Sequence, residues 1–191
     1  MLRTMPLALA VLLFSFALGL DATQKPAPPT NATAATLQEF QRRVDDYVAL
    51  HKKLESTLPG LPKQTDPITI DKHQRGLAQL IQATRKGAKQ GDVFHPAMQR
   101  LVRTLLRPIF QGADGIQIKN EILDNEYKGT VKLVANGRYP DEVPISTVPP
   151  QVLQQLPKLE EELEYRFINN HMILFDSHAH LIVDFVERAF Q

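Results

Sequence analysis

Three side chains near the C-terminus have the types and spacing of a metal site. Asp176, His178 and His180 alternate in the run Ile173–Leu181, ILFDSHAHL. On an extended strand alternate residues share a face, so this pattern turns a carboxylate and two imidazoles toward one ion. Such donors suit zinc, copper or nickel. His171 adds another imidazole to the same region. A competing reading makes Asp176-Ser177-His178-Ala179 a hairpin turn. Asp176 then bonds its own backbone, His178 stands exposed and His180 opens the next strand. The sequence leaves both readings open.

Other candidates for chemistry are weaker. His51 falls on an apolar helical stripe, where it reads as a half-buried residue at a packing seam or, alternatively, as a ligand. The run Glu160-Glu161-Glu162 with Glu164 reads as a solvated approach to a strand, because catalytic carboxylates need burial or a partner to tune them. Ser56, Ser146 and Ser177 lack a Gly-x-Ser-x-Gly context. Neither a P-loop nor a dinucleotide fingerprint is present. With no cysteine in the chain, thiol chemistry, disulfides, thiolate zinc sites and a lipidated N-terminal cysteine are all excluded.

The run ILFDSHAHL resembles the opening strand of amidohydrolase and TatD-type metal hydrolases, where an apolar strand ends in a His-x-His pair that binds a divalent metal. In those enzymes the motif opens a barrel of roughly 250 residues, whose later strands supply the other ligands. Here 11 residues follow His180, and the preceding sequence lacks an alternating strand–helix pattern. The resemblance stops at about nine residues and is not homology.

The elements that must position these residues begin after an export signal. Arg3 supplies a positive start, Pro6–Leu20 an apolar run, and Ala17, Gly19 and Ala22 small residues for cleavage. Residues 1–22 therefore read as a cleaved signal peptide and 23–36, rich in Pro, Ala and Thr, as a disordered linker. Leu37, Phe40, Val44, Tyr47, His51, Leu54 and Leu58 form one stripe of a helix that Pro59-Gly60 ends. A second helix is expected over 71–89, facing inward with Leu77, Leu80, Ile81 and Thr84, and a third over 96–110. A short fourth follows from Ile116 to about Asp124. Gly129–Val134 reads as a strand, with Asn136-Gly137 as a hairpin turn. A proline-rich extended stretch and a short helix near Gln151–Leu156 precede three strands at 164–168, 172–175 and 180–186. The fold class is α+β: an N-terminal three- to four-helix bundle (37–126), then a proline-rich connection and a small antiparallel β meander (127–191).

Charge divides the same way. Residues 36–112 hold 13 Lys/Arg against 7 Asp/Glu, and residues 113–191 hold 7 against 13. The two parts are expected to attract each other, within one chain or between two. A net charge of +1 and few interleaved aromatics argue against nucleic-acid binding.

Asn136-Gly137-Arg138-Tyr139-Pro140, Val148-Pro149-Pro150, Leu156-Pro157, Leu163-Glu164-Tyr165-Arg166-Phe167, Leu174, Asp176 and Leu181-Ile182-Val183-Asp184 make a recognisable skeleton. It resembles uncharacterised exported bacterial proteins that end in a proline-rich lead and a small β-hairpin module. It is also distantly similar to RcnB-type periplasmic proteins linked to nickel and cobalt homeostasis. The resemblance implies an envelope setting and a binding or accessory role, and it transfers no catalytic residue. The expected function is a non-enzymatic binding or scaffolding protein of the cell envelope, periplasmic or secreted, without a cofactor. Its partner is another envelope protein or a second copy, and no membrane span is left after signal cleavage. The alternative is a divalent-metal-binding or metal-dependent protein using Asp176, His178 and His180.

Overall fold

Alternating three- and four-residue steps put Phe40, Val44, Tyr47 and His51 on one face of α1 (Asn31–Glu55), and all four are buried. The computed structural model describes residues 31–123, 129 and 131–190. The expected signal peptide, most of the expected linker and the expected boundary at 126/127 lie outside the described residues. Helix α1 starts six residues earlier than the linker reading places it. Ala32, Ala34 and Ala35 are strong helix formers, and the helix absorbs them. It stops at Glu55, and Thr57 and Leu58 continue as turns bonded to the carbonyls of Leu54 and Glu55.

Helix α2 (Pro67–Thr84) also begins earlier than its apolar stripe suggests. Asp66 caps it, accepting the Thr69 amide at 3.0 Å and the Thr69 hydroxyl at 2.6 Å, and Pro67 occupies the first turn. Its end at Thr84 removes residues 85–89 from the expected helix. Leu77, Ala78 and Ile81 make its buried face, while Thr84 is exposed. Helix α3 (Pro96–Gln111) buries Met98, Val102, Leu106 and Phe110, and α4 (Gly115–Leu123) packs on it. The α3–α4 corner is tight: a Cβ on Gly115 would run into the Phe110 carbonyl group. Gly115→Ala is expected to cost about 1–3 kcal/mol, because the obstacle is backbone and cannot rotate away. An unchanged thermal midpoint would show that the corner opens freely.

The C-terminal half forms a four-stranded antiparallel sheet in the order β1-β4-β3-β2, with β1 at Gly137–Arg138, β2 at Leu163–Ile168, β3 at His171–Asp176 and β4 at Leu181–Val186. The three-strand meander matches the sequence pattern, and the fourth strand is a two-residue addition paired with Leu181 and Ile182. Residues 131–134 form no strand, which corrects the expected 129–134 element. Asn136, in the left-handed region at φ 62°, does sit in a turn, closed by the bond from the Gly137 amide to the Val134 carbonyl. That turn delivers β1 to β4 rather than to a hairpin partner. The short helix α5 (Pro150–Leu153) starts on proline as its sequence suggests.

The sheet is covered on both faces. Leu163, Tyr165, Phe167, Met172, Leu174, Leu181, Val183 and Val186 pack against the helices. Ile168, Ile173, Phe175, Ile182 and Phe185 pack under Tyr139, Val143 and Ala135 from the 131–148 segment. Ser146 of this segment also donates its hydroxyl to the Phe167 carbonyl and accepts the Phe167 amide, partly closing the edge of β2. Burial on both sides explains why LIVDFV of β4 is apolar at five of six positions. The register shifts between β3 and β4, where Leu174 pairs with Asp184 but Phe175 with Ile182. Val183 is the extra residue of a bulge, so Val183 and Asp184 both reach the helical layer. There Asp184 accepts the amides of Gly91, Val93 and Phe94.

Opposite charges do meet across the two halves. Lys52 reaches Glu162 at 3.1 Å and Arg75 reaches Asp141 at 3.2 Å. No helix among the described residues is long and apolar enough to cross a membrane.

A candidate metal centre beside the β3–β4 turn

Helical spacing places His51 and Glu55 one turn apart on the same face, at the C-terminal end of α1. That end of a helix carries partial negative charge from its unpaired carbonyls and favours a cation. Strand parity places Asp176 on the helical face of β3, directly against α1. The four-residue turn Ser177–His180 then presents His178 to Glu55. From α2, His73 reaches the same carboxylate.

Two side chains, Asp176 and Tyr47, and the Ala179 backbone amide converge behind His51. Its Nδ1 lies 2.6 Å from Asp176 Oδ2, and Tyr47 donates its hydroxyl to the same oxygen at 2.6 Å. The other Asp176 oxygen accepts the Ala179 amide at 2.8 Å. Both His51 and Asp176 are completely buried. An ionised carboxylate only accepts, so His51 donates through Nδ1–H and turns Nε2 toward Glu55. This carboxylate–imidazole arrangement is the one that fixes the tautomer and orientation of a metal-binding histidine.

On the open side, His51 Nε2 lies 3.2 Å from Glu55 Oε2, and His178 Nδ1 lies 3.3 Å from Glu55 Oε1. One donor atom each from His51, Glu55 and His178 falls within 4.8 Å of the others. Ligands held at ~2.0–2.1 Å from a tetrahedral zinc ion lie about 3.3 Å apart, close to each of the two contacts that Glu55 makes through its separate oxygens. The His51 and His178 rings meet edge to face at 5.4 Å. His73 Nε2 stands 3.4 Å from Glu55 Oε1 but does not join the group of three.

The electrostatics follow from this packing. Burial alone depresses the His51 pKa, but the hydrogen bond to Asp176, the Asp176 charge and Glu55 outweigh it, and the net shift is upward. Burial raises the Glu55 carboxyl, yet the neighbouring His178, His51 and His73 bring it below its usual value. Tyr47 is pushed well up by burial and by the Asp176 charge.

The residues singled out in the sequence are thus separated. His178 joins the cluster, and Asp176 stands behind His51, orienting it. His180 leaves for the other face of the sheet, where it packs edge-on against Tyr139 and Phe175 and lies 3.7 Å from Asp141. Strand parity does not apply because His178 and His180 sit in a turn, and His180 takes the left-handed φ of 50°. His171 lies at the far end of β3, where Nδ1 accepts the Arg188 amide. Within the acidic run, Glu160 and Glu161 are exposed, but Glu162 is buried beneath its pair with Lys52.

The sequence leaves His51 between a packing residue and a ligand and gives no role to Glu55 or His73. The signal was a His-x-x-x-Glu step on a helix, which is common on solvated helices. Only the long-range contact with residues 176–178 gives it meaning. Searches of protein-family models, curated proteins and solved structures find no match to this chain.

Proposed function

We propose that this protein binds a divalent transition metal in the bacterial cell envelope, with His51, Glu55 and His178 as ligands. The observation that carries this reading is the convergence of two imidazoles and a carboxylate, drawn from α1 and a distant turn, with Asp176 fixing the buried histidine. Two neutral imidazoles and one carboxylate favour zinc, with nickel and copper as competitors. The envelope setting is supported by the signal-like pattern of residues 1–22 and by the resemblance of the 136–184 skeleton to exported proteins. A scaffold that paired through the β2 edge would meet Ser146, which already bonds Phe167 there.

Titration of the purified protein with zinc tests the proposal. His178→Ala is expected to weaken binding about tenfold or more, whereas His180→Ala leaves it unchanged. His178 is 41% exposed, so its removal spares the core. Equal affinity of the wild type and His178→Ala would overturn the assignment.

A further inference from the structure

We infer that the metal site is open, with an exchangeable coordination position that accepts a small carboxylate-type monoanion; this rests on the metal-binding reading above. Three observations carry it. The first is the donor count. Among the described residues, only His51, Glu55 and His178 bring ligand atoms within 4.8 Å of one another, whereas a closed structural zinc site uses four protein ligands and an open one three.

The second is access. His51 is sealed in the core, but the Glu55 side chain is 30% exposed and that of His178 41% exposed. A surface groove lined by Lys52, Glu55, Ser56, Leu58, Leu61 and His73 runs past Glu55. Glu55 thus joins the site to this groove, and His178 leaves the site exposed on its other side.

The third is the chemistry of the lining. One carboxylate among the ligands leaves the coordination shell of a bound dication with one unit of positive charge, which a monoanion offsets, while the Asp176 carboxylate stands outside that shell behind His51. His73 places an imidazole at the groove wall, 3.4 Å from Glu55, where it can donate to a bound oxygen. Leu58 and the 42%-exposed Leu61 offer an apolar shoulder for a short hydrocarbon group. The class of ligand is thus a carboxylate or hydroxamate with a small apolar body. Bulky polyanions are disfavoured, because Glu160, Glu161 and Glu162 surround the Lys52 ammonium on the same side.

The full chain loaded with Co(II) reports coordination through its visible absorption. Addition of acetohydroxamate is expected to change the bands saturably, and His73→Ala is expected to retain Co(II) affinity but to need about tenfold more acetohydroxamate for saturation. Unchanged bands at high acetohydroxamate would overturn the open position. So would an about tenfold or greater loss of Co(II) affinity in both His73→Ala and His73→Gln, which would make His73 the fourth ligand of a closed site. Failure of the wild type to bind Co(II) or zinc at all would instead remove the metal-binding reading itself.

Discussion

Asp184→Asn is expected to lower stability by about 2–4 kcal/mol, a shift of about 1–2 M in the urea midpoint. Asp184 is completely buried, yet among the described residues it has no cationic partner. Its oxygens instead accept backbone amides: Gly91 and Phe185 on Oδ1, Val93 and Phe94 on Oδ2, with Gly91 shared between the two. Burial raises its pKa, while these same amides oppose the rise. The three loop amides belong to residues 91–94, just before α3, so the carboxylate ties that loop to the sheet. Asn supplies one acceptor and one amino group. In either rotamer the amino group faces a backbone donor, leaving two buried donors opposed. Ala would deprive all four amides of their acceptor and leave a small void, so its cost should equal or exceed that of Asn. An Asn variant with wild-type urea stability would mean that solvent replaces the carboxylate.

The sequence reveals the fold wherever one apolar period survives over several turns or a whole strand. The stripe of α1 and the three strands of the meander are of this kind. A helix start is hidden where the cap, not the stripe, decides: Asp66-Pro67 opens α2 about one turn before the expected start at residue 71. Strand β1 was misplaced because a two-residue strand has no periodicity, and its existence depends on β4. Asp184 shows the same limit more sharply. Read by alternation alone, it shares a face with Ile182 and not with Val183. The bulge at Val183 changes that, and a bulge is set by the pairing of two strands. The candidate site was half legible. The Asp-x-His-x-His run pointed to the right turn, but one of its histidines faces away, and the remaining ligands come from residues more than a hundred positions earlier in the chain.

Asp176→Asn is the second change with a large expected effect, and its signature is a dependence on pH. Asp176 accepts from Tyr47, His51 and Ala179, and an Asn side chain leaves at least one of these buried donors unpaired. The expected loss is about 2–4 kcal/mol. Part of that loss belongs to the protonated His51. The His51 pKa is raised in the folded protein, in spite of burial, by Asp176 and Glu55. The stability gained from protonation is therefore fully present below the unfolded value of about 6.5, and it disappears as the pH rises through the higher folded value. The gap between wild type and Asp176→Asn should be widest near pH 6 and narrower near about pH 9. Glu55 works in the other direction. Its lowered pKa gives stability that is present above its usual value of about 4.5 and lost on further acidification, so it stays constant over this range. Urea unfolding of both proteins in chelator at the two pH values measures the gap without metal. A gap that does not change with pH would show that Asp176 holds His51 by geometry alone, and that the imidazole stays neutral against it.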